Sequence, residues 1–354
     1  MPRTAVYRSP LFLEHLRNFG HVESPERLRV IYQELERDNG STHLLYPSFQ
    51  PASLELIRLN HSESHISHIA ATAGRLVDYL DADTQTSARS YDAALLAAGA
   101  MIDGLDRLAE GDIDNGFALV RPPGHHATPD RAMGFCLFNN VAIAAHYAVE
   151  RLNLAPVFIL DWDLHHGNGT QDSFYASDQV LYCSTHQYPH YPGSGGMEET
   201  GSGKGQGFTI NIPLPGGQDD RAYARICREL VAPLVRQYRP RVLLVSCGFD
   251  IALGDPLGAM RVTPAGFAYM TRIMRQLAEE VCEGRLLVTL EGGYSMRVMR
   301  DGSLAVLTEL CGTPLHARYP VWLDADTARA LEEEPPPLVA LDQAIQVAKR
   351  YWTL

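Results

Sequence analysis

The chain has 354 residues, of which 45% are hydrophobic and 20% are charged, and its formal net charge is −12. This composition is typical of a globular protein with a large core, and the negative charge argues against a general nucleic-acid-binding surface. No signal-peptide pattern and no apolar run of about 18 residues occurs, so we expect a cytoplasmic protein that does not cross a membrane.

Short β-rich runs alternate with helical patterns through the middle of the chain. In chain order, strands are predicted at 116–120, 157–163, 179–185, 208–214, 241–248 and 285–290. The intervening segments 139–152 and 222–238 have apolar residues at helical spacing. Apolar strands that alternate with helices predict an α/β fold, with a mostly parallel central sheet and helices on both faces.

The domain organisation follows from the absence of a linker in the middle of the chain. We expect a single domain over residues 1–354, with its core at about 15–320. The acidic and proline-rich run at 332–337 predicts a connector, and 338–354 has the pattern of a terminal helix. The six cysteines form no C-x-x-C pair and lie mostly in apolar surroundings, which predicts buried free thiols.

Polar motifs follow the predicted strands. They are RPPGHHA, DWDLHHGNG, STHQY, GFDIALGDP and EGGY, each directly after an apolar run. The carboxyl ends of strands in an open parallel sheet share one edge, and ligands bind there. We therefore expect these motifs to meet in one active site.

Two ligand types stand close together in DWDLHHGNG. Asp163 and His165 are two residues apart, and on an extended segment such side chains point to the same side. Asp250, at the end of the strand at 241–248, is the best third ligand. Two carboxylates and one histidine leave a coordination position open, as a catalytic zinc requires, although Fe(II), Co(II) or Mn(II) also suits these donors.

A histidine pair offers proton transfer. His125 and His126 follow a turn that is stiffened by two prolines. A metal-activated water needs a base and a leaving amine needs an acid, and neighbouring histidines can supply both. Each needs a partner at its second ring nitrogen, and Asp161 and Asn168 are residues of the right type.

Tyr294 follows two glycines at the end of the strand at 285–290. Its phenol could donate to an oxygen that gains negative charge during the reaction. The alternative is a tyrosine that only packs over the edge of the sheet.

Six motifs in a fixed order resemble one known family. HVESPERL, RPPGHHA, GFCLFNN, DWDLHHGNGTQDSFY, GFD…GDP and LEGGY resemble the histone deacetylase superfamily, especially its class II-like branch of bacterial amidohydrolases and acetylpolyamine amidohydrolases. The likeness runs from about His21 to Tyr294. It implies an arginase-like open α/β fold and a zinc-dependent enzyme that removes acyl groups from amines.

The resemblance also implies roles for individual residues. It places the zinc ligands on Asp163, His165 and Asp250, the general base and acid on His125 and His126, and the catalytic tyrosine on Tyr294. Asp161 matches the carboxylate that partners the first histidine of the pair. Asn168 stands where the class I branch has aspartate, so His126 lacks a charged partner and its pKa should be lower than beside an aspartate.

The resemblance also indicates which residues would form the family's substrate site and potassium site in this chain. Gly134, Phe135 and Tyr191 match the acyl-lysine tunnel, in which two aromatic rings form an apolar slot. Leu257 falls at a gate position where a polyamine-selective branch has glutamate, which disfavours a polyamine preference. Arg27 matches an arginine near a buried product channel, whereas His166 has no role at the metal and is expected to be structural. A structural potassium site is implied at Asp161, Asp163, His165 and Ser184.

The predicted function is hydrolysis of an acylated amine, with acetyl-lysine as the first candidate and small acetylated amines or polyamines as alternatives. An arginase-like enzyme with two manganese ions would need D-x-H-x-D, whereas His166 and Gly167 follow His165. A non-catalytic acyl-lysine-binding scaffold is the alternative of another class, and the intact metal, base and tyrosine positions argue against it. The acyl-chain preference, the metal, the shape of rim loops 81–91 and 187–206, and a homo-oligomeric state remain open.

Overall fold

The computed structural model describes residues 1–17, 19–37, 44–315, 319–333 and 337–354. Its strands are β1 (Thr4–Tyr7), β2 (Leu44–Leu45), β3 (Asp78–Tyr79), β4 (Gln85–Thr86), β5 (Asn115–Ala118), β6 (Val157–Asp161), β7 (Val180–Gln187), β8 (Thr209–Leu214), β9 (Val242–Cys247) and β10 (Leu286–Leu290). Its helices are α1 (Glu26–Arg37), α2 (Leu54–Ile57), α3 (Glu63–Ala70), α4 (Ser90–Glu110), α5 (Asn140–Glu150), α6 (Asn168–Phe174), α7 (Asp220–Ile226), α8 (Ala232–Tyr238), α9 (Pro264–Val281), α10 (Met296–Cys311), α11 (Ala325–Glu332) and α12 (Val339–Ala348).

Eight strands form one sheet in the order β2–β1–β5–β10–β9–β6–β7–β8. Every neighbouring pair in this sheet runs parallel. All residues of β6, β9 and β10 are buried, as expected for strands with helices on both faces. The predicted α/β class and the mostly parallel sheet are confirmed.

Some boundaries differ from the predicted ones. The strand predicted at 157–163 ends at Asp161, and β1 and β2 were not predicted. The sheet therefore begins at Thr4, before residue 15, where the sequence placed the start of the core. The four residues of β1 and the two of β2 are too few to show a strand pattern in the sequence.

The C-terminal helix is shorter than predicted. α12 ends at Ala348, whereas the sequence indicated a helix over 338–354. Beyond it the indole of Trp352 donates a hydrogen bond of 2.7 Å to the carbonyl of Gly207, which holds the tail against the body instead of in a helix. Of the predicted connector at 332–337, residues 334–336 lie outside the described residues, and residue 332 is the last of α11.

The cysteine prediction is confirmed, because all six thiols are buried and unpaired. Among the described ranges, no helix has both the length and the apolar character needed to span a bilayer.

Candidate active site

The polar motifs meet at the carboxyl edge of the central strands, because β5, β10, β9 and β6 are consecutive neighbours in the sheet. A pocket of about 350 Å³ opens there. The predicted residues that line it are His125, His126, Gly134, Phe135, His165, Tyr191, Leu257 and Tyr294. Segments up to 211 residues apart in the sequence thus contribute to one cavity, since both Asp83 and Tyr294 line the pocket.

Asp163, His165 and Asp250 form a buried group that could hold a metal ion. Each brings one ligand atom to within 4.8 Å of the others. Nδ1 of His165 lies 3.2 Å from Oδ1 of Asp163 and 3.2 Å from Oδ2 of Asp250. Two carboxylates buried this close together repel each other unless a cation lies between them. Burial and the charge of Asp163 accordingly raise the pKa of Asp250 to about 7. The donor set fits a divalent transition metal with open coordination positions.

The loop after β6 presents these ligands through turns rather than through the extended geometry inferred from the sequence. The backbone N–H of Asp163 donates to Oδ1 of Asp161 at 3.1 Å, and the N–H of His165 donates to Oδ1 of Asp163 at 2.9 Å. Aspartate side chains commonly stabilise turns in this way. The second oxygen of Asp163 accepts from the N–H of Gly292 at 2.8 Å. The carboxylates therefore shape the loop as well as forming the ligand group.

The histidine pair has the two partners that the sequence indicated. Nδ1 of His125 is hydrogen-bonded to Oδ2 of Asp161 at 3.1 Å, and Nδ1 of His126 to Oδ1 of Asn168 at 2.9 Å. The hydroxyl of Tyr182 donates to the same oxygen of Asp161 at 2.9 Å. The two imidazole rings lie side by side, with centroids 4.0 Å apart. Their orientation is thus set by fixed side chains on β6, β7 and α6.

The pKa values of the two imidazoles are shifted in opposite directions. Burial lowers the pKa of His125, but the charges of Asp163 and Asp161 outweigh burial and raise it to about 10. Burial and the charge of His125 lower the pKa of His126 below its ordinary value. The neutral amide of Asn168 supplies no charge to oppose this, so the direction is the one expected from an asparagine partner.

Glu291 supports the histidine pair, and the sequence did not single it out. Its Oε2 accepts from the backbone N–H of Gly124 at 2.7 Å and of His125 at 3.1 Å. Its Oε1 accepts from the hydroxyl of Ser246 at 3.2 Å. Burial raises the pKa of Glu291 to about 7. An acid directly after an apolar strand was a visible signal, but its backbone partners lie in the loop that follows β5.

Tyr294 lies at the pocket with its ring almost fully buried. The ring of Phe135 lies edge-on to it at 6.0 Å between centroids, and the guanidinium of Arg27 lies 5.1 Å from its centroid. Arg27 also donates to the carbonyl of Gly293 at 2.6 Å. Burial raises the pKa of Tyr294, so the phenol keeps its proton at neutral pH and remains a donor. Arg27 therefore contacts the tyrosine segment directly.

The predicted tunnel residues lie on the walls of the pocket. Gly134 and Phe135 both adopt left-handed backbone conformations, with φ of +56° and +68°. A Cβ atom at Gly134 would lie 2.4 Å from the ring of His126, so glycine is required there by space as well as by conformation. Tyr191 lies edge-on to His126 at 5.1 Å between centroids and is 36% exposed, which places it at the mouth.

Two further predictions concern neighbouring residues. Ser184 pairs with Asp161 in the register of β6 and β7, so two of the four residues named for the potassium site are neighbours in the sheet. The potassium itself stays a prediction. His166 is hydrogen-bonded through Nδ1 to Ser194 at 2.8 Å and through Nε2 to Gln171 at 3.0 Å, in keeping with a structural role.

The rim loops contribute two lining residues that the sequence did not single out. Asp83 comes from the loop at 81–91, and His190 comes from the loop at 187–206. Neither residue belongs to a sequence motif. The path of its loop brings each of them to the pocket, and the sequence does not show that path.

The fold and this arrangement of residues define a hydrolytic enzyme of the deacetylase and amidohydrolase type. The family profile of the histone deacetylase domain matches residues 21–310. The chain is 36% identical to a probable deacetylase of Archaeoglobus fulgidus over 359 aligned positions, covering 96% of both chains. It is 40% identical to the histone deacetylase-like amidohydrolase of Pseudomonas aeruginosa, covering 85% of this chain and 80% of that one. The crystal structure of the HDA15 HD domain superposes with a TM-score of 0.86 at 35% identity, covering 99% of this chain and 95% of that chain. The chain therefore belongs to the histone deacetylase family.

Proposed function

We propose that this protein hydrolyses the amide of an acylated amine and that acetyl-lysine in a peptide or protein is its substrate class. The observation that carries the proposal is the convergence in one pocket of the histidine pair, His165 of the metal group and Tyr294. The products would be acetate and the free amine.

We assign a zinc ion to Asp163, His165 and Asp250, since the family is generally zinc-dependent and this donor set fits such an ion. When bound, the zinc supplies polarisation of the acyl carbonyl and lowers the pKa of the attacking water to about 7. A structural potassium ion near Asp161 and Ser184 is part of the same proposal.

The protein's own groups move the protons. One imidazole of the pair His125 and His126 accepts a proton from the attacking water, and the other donates a proton to the leaving amine. Asp161 and Asn168 hold the rings in the orientation that these transfers need. The phenol of Tyr294 donates a hydrogen bond to the acyl oxygen as that oxygen gains negative charge.

The walls favour a long, uncharged alkyl chain. Phe135, Tyr191 and Leu257 present apolar surface to the pocket, and Leu257 brings no charge that would attract the second ammonium of a polyamine. Acetyl-lysine has an apolar tetramethylene chain behind its amide, which fits these apolar walls. Asp83 is the acid among the lining residues, so its carboxylate and the neutral Leu257 favour opposite substrate classes and the choice between them is tested separately.

The experiment that tests the proposal is the substitution Tyr294→Phe. Phenylalanine keeps the contacts with Phe135 and Arg27 and removes only the hydroxyl, and losing one such donor lowers kcat by about 100–1000-fold. Turnover of a fluorogenic acetyl-lysine peptide is measured together with metal content, which we expect to be one zinc per chain in both proteins. The matched control is Tyr79→Phe, an exposed tyrosine on β3. Unaltered turnover of Tyr294→Phe, or activity that survives complete chelation of the metal, contradicts the proposal.

The substrate class is tested separately with a panel of acetyl-lysine peptides, longer acyl-lysine peptides and N-acetylated polyamines. We expect the acetyl-lysine peptide to have the highest kcat/KM. A higher kcat/KM for a polyamine would leave the chemistry in place and overturn the substrate assignment.

A further inference from the structure

We propose that Asp255 is a positioning residue that fixes both the backbone of Tyr294 and the gate residue Leu257 through one carboxylate. The inference rests on the proposed function of Tyr294, because positioning matters only if that phenol takes part in the reaction. Asp255 stands in the GDP motif, to which the sequence assigned no role of its own.

The contacts of Asp255 come from two separate segments. Its Oδ2 accepts from the backbone N–H of Tyr294 at 2.7 Å and of Ser295 at 3.1 Å. Its Oδ1 accepts from the N–H of Leu257 at 3.0 Å. Asp255 is only 6% exposed, so water competes little for these hydrogen bonds. Hydrogen bonds from N–H groups to an ionised carboxylate are stronger than those between neutral groups.

The position of Asp255 explains how α10 begins. Ser295 is the N-cap residue of this helix, and its own side chain makes no capping hydrogen bond. The first N–H groups of a helix need acceptors, and a carboxylate there also interacts favourably with the helix dipole. Asp255 supplies this acceptor from the loop after β9, whereas α7 is capped by its own Asp219. Asp255 therefore connects the start of α10 to the loop that carries Leu257.

The position of Tyr294 depends on the hydrogen bond to Asp255 because two glycines precede it. Gly292 and Gly293 connect it to β10, and Gly293 has φ of +115°. Glycine places little restriction on the backbone, so the strand alone does not determine where the tyrosine lies. Gly292 and Gly293 are held by hydrogen bonds to Asp163 and Arg27, and the amide N–H of Tyr294 itself is held by its hydrogen bond to Asp255. A displacement of about 1 Å at a reacting group can cost roughly 100-fold in rate.

The same carboxylate couples the gate to the tyrosine. Leu257 lies two residues after Asp255 and lines the same pocket as the histidine pair. Its N–H and that of Tyr294 are held by the two oxygens of one rigid group. A change at Asp255 should therefore alter turnover and the selection of acyl chains together.

The test is Asp255→Asn. Asparagine has nearly the same volume, but it replaces one acceptor oxygen by an NH₂ group that must face a backbone N–H. We expect kcat for the acetyl-lysine peptide to fall at least about tenfold. The ratio of kcat/KM between acetyl-lysine and longer acyl-lysine peptides should change as well. The matched control is Asp219→Asn, the same substitution at the cap of α7, which should leave both quantities unchanged.

A double-mutant cycle with Tyr294→Phe separates positioning from a merely structural role. If Asp255 acts by placing the phenol, Asp255→Asn should change kcat less than about twofold in the Tyr294→Phe background, because the two substitutions remove the same interaction. A structural role would lower kcat by the same factor in both backgrounds. Asp255→Ser is measured alongside, and kcat is expressed per folded, metal-loaded chain, so that the result does not depend on the folding of one variant.

Two results would overturn the inference. One is a kcat of Asp255→Asn equal to that of the parent, and the other is a kcat that Asp255→Asn lowers by the same factor in the parent and in Tyr294→Phe. An unchanged kcat in Tyr294→Phe alone is a different result. It contradicts the proposed function, and the positioning role fails with it.

Discussion

Glu23 carries a buried charge network, and replacing it by glutamine should destabilise the protein strongly. Its carboxylate accepts from Arg27 at 2.7 Å and from Nε and Nη2 of Arg121 at 2.5 and 2.6 Å. All three side chains are fully buried. Glutamine keeps the shape but leaves two guanidinium groups without a counter-charge.

The size of the effect follows from burial. Removing one partner of a buried ion pair costs about 3–5 kcal/mol, and here one carboxylate serves two arginines. We therefore expect Glu23→Gln to lower the free energy of unfolding by at least about 3 kcal/mol at pH 7. The measurement is urea unfolding followed by circular dichroism. The control is Glu63→Gln, whose pair with Arg58 is exposed and should contribute nothing measurable to the midpoint.

The destabilisation should also depend on pH. Burial raises the pKa of Glu23, but the charge of Arg121 and the imidazole of His15, whose Nε2 lies 3.4 Å away, outweigh it and lower the pKa well below the ordinary value. Because the folded pKa is lower than the unfolded one, this stabilisation is present above the unfolded value and is lost as the pH falls toward the folded value. The difference in the free energy of unfolding between the parent and Glu23→Gln should therefore become smaller below about pH 4. A difference in the free energy of unfolding under about 1 kcal/mol at pH 7 would refute the stabilising role of Glu23. A difference that stays constant down to about pH 3 would refute its lowered pKa.

Three further predictions concern the pocket and the core. Glu291→Ala should lower kcat more than Glu291→Gln, because glutamine still offers an oxygen to the two N–H groups of the histidine turn; equal loss in both would contradict the supporting role. Leu257→Glu should raise kcat/KM for N-acetylated polyamines relative to acetyl-lysine, since it adds a negative charge at the pocket; an unchanged ratio would show that this position does not face the substrate. The six buried thiols should resist iodoacetamide in the folded protein and react after denaturation, as mass spectrometry would show; rapid labelling of the native protein would contradict their burial.

The sequence by itself determined the fold class and most of the ligand-bearing positions. Apolar strands alternating with helices specify a parallel sheet, and a parallel sheet gathers its carboxyl ends at one edge. Polar motifs directly after those strands must therefore meet. Asp163, His125 and Tyr294 were identified in this way, and the structure brings their segments together.

Only the tertiary structure decided which groups support those residues. Glu291 and Asp255 act on backbone N–H groups from other segments, and a backbone N–H has no signature in the sequence. The turns at Asp161 and Asp163 likewise depend on where β6 ends, and the sequence placed that end two residues too late. The residue types follow from local chemistry, whereas their partners depend on the path of the whole chain.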